Sequence, residues 1–434
     1  MSKTVLDGWV NGKFGDLARV QNGYAFKSSD FSERGHAAAI RMSNLKKGRI
    51  DLSEAKYVPE CIVEGLDQFR LSEGDFLFGM SGSLDNYAWV TRDTGVCYLN
   101  QRVGCLRAKP KSDSLYTAYC YLSETVKREI VGLAAGAAQL NISGNQLESI
   151  PVPIPPLPEQ KKIAAILSSV DNVIETTRAQ IDKLKDLKTG MMQELLTKGV
   201  GSGGLPHKEF KDSPVGRIPV FWDFTKLGDV TQKFQNGYAF SASGYVDEGI
   251  PIISMASIGL DGNFNTRYTK TKYWDASERS SLKRYVVKDG DLLIAMTDVT
   301  PTMALIGRCC VARINRDHLL NQRVGLIKLD FSRVDKQFFA YYSNHDIWRD
   351  YARGMSGLGA QANLGTTQIA NGIIPLPPLE EQKRIASILQ SVDDLIEDKG
   401  ENLHKNQSVK KALMQDLLTG KVRVNVEQKE SAAA

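Results

Sequence analysis

The side chains of this sequence that could do chemistry are those that form hydrogen bonds. Arg41, Asn44, Lys46, Lys47 and Arg49 crowd together in the first half, and Ser81, Ser83, Asn86, Tyr87 and Arg92 follow. In the second half Ser257 precedes Arg267, Tyr268 and Lys270, and beyond these lie Thr297, Asp298 and Thr300. Two glycine-rich stretches, 132–141 and 354–363, add Gln139, Asn141, Gln361 and Asn363. Such side chains read base edges, while lysine, arginine and backbone amides hold phosphates. Glycine and alanine around an amide let a backbone come close to a partner. Taken alone, each basic cluster is also what a solvated surface looks like, and each glycine-rich stretch what a flexible connector looks like. Their recurrence in both halves is what argues for binding.

Bond-breaking chemistry has no comparable support. The six cysteines contain no CxxC pair, and the five histidines are scattered, so no metal site is expected. Neither glycine-rich stretch ends in the Lys-Ser/Thr of a phosphate-binding loop. There is no Asn/Asp-Pro-Pro-Tyr/Phe methyltransferase motif and no carboxylate–lysine nuclease cluster; Glu397-Asp398-Lys399 falls on a helical register as surface charge. A net charge of +5 permits a polyanion without demanding one. The composition, 42% hydrophobic and 24% charged, is that of a soluble globular protein, and 434 residues suggest two or three domains. No apolar run is long enough to span a membrane and no leader is evident, so a cytoplasmic location is expected.

The elements that would position these residues occur twice. Gln21-Asn22-Gly23-Tyr24-Ala25-Phe26 returns as Gln235-Asn236-Gly237-Tyr238-Ala239-Phe240, and Leu99-Asn100-Gln101-Arg102-Val103-Gly104 as Leu320-Asn321-Gln322-Arg323-Val324-Gly325. Trp9 matches Trp222. Each copy predicts a β-rich globular part, with strands at 75–78, 102–106 and 291–294, and helical stretches at 115–132 and 336–354. Asn-Gly predicts a tight turn in each copy. The identical segments cannot discriminate between different targets, so they belong to scaffold or phosphate contact.

Each globular part leads into a long helix. Pro155-Pro156-Leu157-Pro158-Glu159-Gln160 recurs as Pro377-Pro378-Leu379-Glu380-Glu381-Gln382, an offset of 377 − 155 = 222. The prolines open a helix whose first-turn glutamate suits the dipole. Ile163, Leu167, Val170, Ile174, Thr177, Ile181, Leu184, Lys188, Met191 and Leu195 alternate in steps of four and three. Ile385, Leu389, Val392, Ile396, Lys399, Leu403, Asn406, Lys410, Leu413 and Leu417 do the same. Two matched seams predict helices that pack on each other, with Lys399, Asn406 and Lys410 weakening the second seam and fixing register.

The copies differ where binding residues were found. From Gly74 to Leu99 the first spans 99 − 74 = 25 positions and from Gly290 to Leu320 the second spans 320 − 290 = 30, so the second carries five more residues there. One scaffold thus offers two unlike polar surfaces, as a reader of two unlike half-targets would.

With the doubled Pro-Pro-Leu-x-Glu-Gln, the Met-Gln-x-Leu-Leu-Thr helix ends, Gly-Arg-Ile-Pro before Trp222 and Gly-Tyr-Ala-Phe in each half, the chain resembles the specificity (S) subunit of Type I restriction-modification enzymes over nearly its whole length. The first half lacks a full Gly-Arg-Ile-Pro before Trp9. The resemblance implies a mixed α/β (α+β) build: target recognition domains at 1–154 and 200–376, spacer helices at 155–199 and 377–421 forming an antiparallel coiled coil, and a tail at 422–434. It implies a non-catalytic subunit that reads a bipartite site in double-stranded DNA and docks two modification (methyltransferase) subunits, joined by restriction (motor-nuclease) subunits. S-adenosylmethionine, ATP and Mg²⁺ would belong to those partners. The competing readings are a structural adaptor and a stand-alone DNA methyltransferase.

Overall fold

The structure, a computed structural model, describes residues 8–82, 85–134, 141–201, 203–265, 271–356 and 362–426. The chain divides into two compact units, Met1–Ala179 with Glu401–Ala434, and Gln180–Gly400. The central helix, Leu157–Lys198, and the C-terminal helix, Leu379–Leu418, each begin in one unit and end in the other.

In the first unit the elements are β1 (Val10–Lys13), β2 (Ala18–Asn22), β3 (Ala37–Ile40), β4 (Lys56–Val58), β5 (Phe76–Gly79), β6 (Tyr87–Trp89), β7 (Cys97–Leu99), β8 (Val103–Ala108), α1 (Ser114–Leu122), α2 (Glu124–Ala134) and β9 (Pro151–Ile154). Strands β2, β8, β5 and β6 lie side by side in an antiparallel sheet, and β4, β3 and β7 form a second sheet in which β3 and β7 run parallel. β1 pairs with β9 and closes the copy on itself.

The second unit repeats this plan with β10 (Asp223–Lys226), β11 (Thr231–Asn236), β12 (Ile250–Ile253), β13 (Tyr273–Trp274), β14 (Leu292–Ala295), β15 (Cys309–Val311), β16 (His318–Leu320), β17 (Val324–Leu329), α3 (Lys336–Tyr342), α4 (Asp346–Met355) and β18 (Ile373–Leu376). The order β11, β17, β14, β15 reproduces the first large sheet, β12 runs parallel to β16, and β10 pairs with β18. The apolar runs read as strands are β5, β8 and β14, and the interior-facing β5 and β14 are buried throughout. Gly-Arg-Ile-Pro forms a strand, Gly216–Pro219, hairpinned to Phe210–Ser213 ahead of Trp222.

One expectation is refined and another corrected. Each helical stretch before the glycine-rich segment is two helices. Ser123 adopts an extended conformation after α1, and its hydroxyl accepts from the Val126 amide to restart the helix as α2. Asn-Gly makes no tight turn either. The Tyr24 amide donates to the Leu99 carbonyl at 2.9 Å and the Gln101 amide to the Tyr24 carbonyl at 2.8 Å, with the same pair of bonds at Tyr238, Leu320 and Gln322. The two repeated hexapeptides are therefore each other's partners. A Cβ at Gly23 or Gly237 would sit 2.1 Å from the carbonyl oxygen of Asn100 or Asn321, so only glycine permits this approach.

The repeated Glu-Gln fastens each globular part to its helix. Glu159 is buried and accepts from Trp9 Nε1 at 3.0 Å and Arg423 Nε at 2.7 Å. Glu381 accepts from Trp222 Nε1 at 3.1 Å and the Val200 amide at 2.8 Å. Gln160 Oε1 takes the amide of Asp113, the residue capping α1, and Gln382 Oε1 takes that of Asp335, which caps α3, both at 2.9 Å. Each glutamine then donates to the proline carbonyl five residues before it. Buried polar atoms are thereby satisfied, as burial requires.

Within each unit the two long helices run antiparallel. In the first, Glu159 meets Arg423 and Asp171 meets Lys410 at 2.6 Å; in the second, Val200 meets Glu381 and Lys188 meets Asp393 at 2.7 Å. The seam lies inward: Ile163, Leu167, Ile174, Ile181, Ile385, Leu389, Val392 and Leu417 are buried, and Val170, Leu184, Ile396, Leu403 and Leu413 half-buried. Lys188 and Lys410 of the seam are engaged by carboxylates of the opposite helix. Tyr119 Oη donates to Asp171 and Tyr341 Oη to Asp393, each at 2.8 Å. Burial, then the adjacent carboxylate, pushes both phenols well above their ordinary range, so they remain donors.

These contacts can be tested by substitution. Gly237→Ala drives a methyl group into the Asn321 carbonyl and should destabilise the fold by about 1–3 kcal/mol in urea denaturation. Lys188→Met strands the Asp393 carboxylate and should cost about 3 kcal/mol, most of it recovered when Asp393→Leu is added.

Candidate nucleic-acid interface

In each unit three stretches remote in sequence meet where a central strand of the large sheet ends. Ser81, just past β5, pairs with Asn141, and its hydroxyl reaches Met42 Sδ at 3.2 Å. Thr297 and Asp298, just past β14, pair with Asn363 and Ala362, and Thr297 Oγ1 reaches Met255 Sδ at 2.8 Å. The turn after the parallel strand, the exit of the central strand and the exit of the glycine-rich stretch thus form one locus, twice over. Arg102 and Arg323, both exposed, border it, because their carbonyls accept from the amides of Met80 and Met296.

A hairpin extends from the first locus. Leu45–Lys46 pairs with Arg49–Ile50 across a two-residue turn in which Lys47 and Gly48 have φ of 43° and 112°. Such a turn twists with its strands. Lys46, Lys47 and Arg49 are exposed there. The Gly48 amide donates to the Tyr87 carbonyl at 2.8 Å, which pins the hairpin to β6. Three cations on one braced ribbon form a phosphate-sized electrostatic feature.

The structure engages several expected readers within the protein and sets Arg92 apart from the locus. Asn44 is buried; its Oδ1 accepts from the Arg41 amide and its Nδ2 donates to the Asp51 carbonyl, bracing the base of the hairpin. Ser257 is its buried counterpart, accepting from the Ser254 amide. The Arg41 guanidinium is half-buried and donates to the Glu54 carbonyl. Thr297, unlike Ser81, is buried, and its hydroxyl reaches Met255. Asp298 is buried, which works against its charge, but the amides of Thr300 and Leu305 and the Thr300 hydroxyl outweigh burial and hold its carboxyl below the usual range. Tyr87 packs against Phe76 and Trp89 and lines a cavity with Lys410 and Met414 on the helix side. Arg92 is exposed but lies past Trp89, which pairs with Phe76 at the end of β5 away from Ser81.

Asn141 and Thr300 remain exposed at the loci, Asn363 is exposed beside Thr297, and Ser81 and Asn86 are half-buried. Ser83, Gln139, Arg267, Tyr268, Lys270 and Gln361 lie outside the described residues. Sequence reasoning missed the Asp–Lys–Tyr groups, although a signal was there: Tyr119 and Tyr341, Asp171 and Asp393, and Lys188 and Lys410 each recur at the same 222-residue offset as the helices.

Among the described residues, no group of three or more His, Cys, Asp or Glu side chains could hold a metal ion, and no helix is long and apolar enough to cross a membrane. Burial pushes the thiols of Cys97, Cys105, Cys120 and Cys309 up to about 12, so they are unreactive.

Comparison with known proteins gives a consistent picture. The pattern of the Type I restriction modification DNA specificity domain matches residues 7–186 and again 219–407. The Type I restriction enzyme MjaVIII specificity subunit of Methanocaldococcus jannaschii is 32% identical over 343 residues, covering 77% of this chain and 78% of the relative. The putative MjaX specificity subunit of the same organism is 32% identical over 422 residues, 94% of this chain and 92% of the relative. The EcoKI specificity subunit of Escherichia coli K12 is 24% identical over 90% of this chain and 82% of its own. A Type I restriction-modification S subunit from M. genitalium, 14% identical, has the same fold, with a TM-score of 0.59 over 96% of this chain and 97% of that one.

Replacing Lys46, Lys47 and Arg49 together by alanine should weaken duplex binding equally for all sequences. The slope of log affinity against log salt should fall by up to about 2.7, at roughly 0.9 for each phosphate no longer neutralised.

Proposed function

The chain belongs to the Type I restriction-modification DNA specificity family, and on that premise we propose that each unit reads one half of a bipartite, asymmetric site in double-stranded DNA. The observation that carries this is the doubled locus: one framework, held by identical interior contacts, exposes different side chains in its two copies. Contacts that both copies share, Arg102 and Arg323 among them, would hold phosphates and set register, while the unlike segments read base edges in the major groove. Candidate readers are Asn141, Ser81 and Asn86 in the first unit and Thr300 and Asn363 in the second, with the basic hairpin 45–50 on the backbone. Ser83, Gln139, Arg267, Tyr268, Lys270 and Gln361 retain their candidacy from sequence.

The chain itself performs no catalysis in this reading. The domains are a recognition domain over 1–154, a spacer helix over 155–199, a second recognition domain over 200–376, a spacer helix over 377–421 and a tail. Two modification (methyltransferase) subunits dock on the helices, and restriction subunits complete the assembly in the cytoplasm; S-adenosylmethionine, ATP and Mg²⁺ are bound by those partners. Support for two identical partners comes from the outer helix faces. Val173 and Leu395, and likewise Leu187 and Val409, are about half exposed (50, 50, 52 and 50%) and correspond at the 222-residue offset, so an apolar pair is offered at equivalent places, Val173 with Val409 in the first unit and Leu187 with Leu395 in the second.

The helices would act as the ruler between half-sites. Four residues inserted at the boundary of the units, after Ala179 and after Gly400, add about 6 Å of helix. The preferred spacer should lengthen by about two base pairs, at roughly 3.4 Å each, with both half-sequences unchanged. Exchanging residues 1–150 for a homologous domain should change one half of the methylated motif and leave the other intact. An unchanged motif would favour a structural adaptor.

A further inference from the structure

The five residues that the second copy carries beyond the first lie between β14 and β16, where the loop after Asp298 is built with unusual care. Asp298, 1% exposed, accepts from the Thr300 amide at 2.7 Å and the Leu305 amide at 2.6 Å, tying the two ends of the loop together. Arg349 of α4, also 1% exposed, supports it from beneath. Its Nη2 donates to the carbonyls of Met303 at 2.8 Å and Ala304 at 2.9 Å, and its Nη1 to that of Ile306. No carboxylate is among these partners. Burial, then the nearby Arg308 and Arg353, lowers its pKa to about 9, so the buried guanidinium stays charged at neutral pH. Trp348 Nε1 closes the loop by donating to the Gly307 carbonyl at 2.9 Å.

The supported backbone is strained. Met303 has a φ of +47°, a left-handed conformation that a non-glycine side chain resists and that persists only when its surroundings enforce it. Among the described residues the first unit has no such buried arginine. The position matching Arg349, at 349 − 222 = 127, is Lys127, whose ammonium lies 4.0 Å from Asp85 on the surface.

What this support presents outward is small. Val299 is 58% exposed, and Thr300, Pro301 and Thr302 are exposed beside it. The loop continues directly from the Thr297–Asn363 pair at the second locus. An exposed isopropyl group held rigidly among hydroxyls has one natural counterpart in a major groove, the 5-methyl of thymine, since the other groove edges are hydrogen-bonding atoms.

We propose that residues 299–302 are a preorganised reading loop in which Val299 packs on a thymine methyl group, and that Arg349 is a positioning residue that holds the loop without touching DNA. This rests on the reading of the chain as a DNA specificity subunit. The loop is stiff before DNA arrives, so binding does not have to order it.

The test uses the full complex of this chain with its modification subunits, bound to duplexes carrying its methylated motif. In the half-site read by the second unit, thymine is replaced by deoxyuridine, which removes only the methyl group. Wild type should bind the uracil duplex about fourfold more weakly, the effect of one buried carbon. Val299→Ala should bind both duplexes alike, closing a double-mutant cycle. Arg349→Gln should relax the second half of the motif while the first half stays sharp, with Arg349→Lys intermediate. Equal binding of the two duplexes by wild type, a second half-site without an A·T pair, or a Val299→Ala variant that loses modification subunits with its motif unchanged would each overturn the assignment. Failure of the family reading is separable, because exchange of residues 1–150 would then leave the motif unaltered.

Discussion

The structure depends on how each β-rich copy is clamped to the long helices. A carboxylate about one-third of the way along a helix, Asp171 or Asp393, receives an ammonium from the opposite helix and a phenol from the first helix of the globular part. One carboxylate, buried at Asp393 and half-buried at Asp171, therefore fixes the antiparallel register of the helices and the seat of the domain upon them. A buried ion pair adds little net stability but penalises every arrangement that leaves one partner alone, which is the property a register-setting contact needs. The Glu-Gln pair at the helix start serves the same purpose at a second point, so the domain is held to the helix at two sites and cannot pivot.

This clamp explains the division of labour in the sequence. Residues that recur unchanged, the two hexapeptides and the Pro-Pro-Leu-x-Glu-Gln segments, are those that touch one another inside each copy. The glycines of the first hexapeptide lie against the carbonyls of the second, so neither can change alone. Variation is left to the ends of the central strands. There the first copy projects a cationic hairpin and the second a longer loop braced by Asp298 and Arg349. A framework that tolerates no movement allows loops of different length to be carried upon it.

Much of the architecture is legible in the sequence. The duplication, the strand runs at β5, β8 and β14, and the seam from Ile163 to Leu195 follow from periodicity and punctuation, which are local signals. The breaks at Ser123 and before Asp346 are not legible, because a single polar residue capping a new helix resembles one on a helix surface. The site is harder still. Asn44, Ser257, Thr297 and Asp298 have the chemistry of base readers, yet their side chains satisfy nearby groups of the protein, and composition cannot separate the two uses. Arg349 sits in an amphipathic helix like any surface arginine; only its burial and its three carbonyl partners set it apart.

That two copies of one scaffold inspect two different stretches of the same duplex is tested most directly by sequencing the methylated bases in cells that carry this chain with its modification subunits. The predicted result is one asymmetric motif of two specified halves separated by a fixed number of unspecified positions. A single uninterrupted or palindromic motif would contradict it.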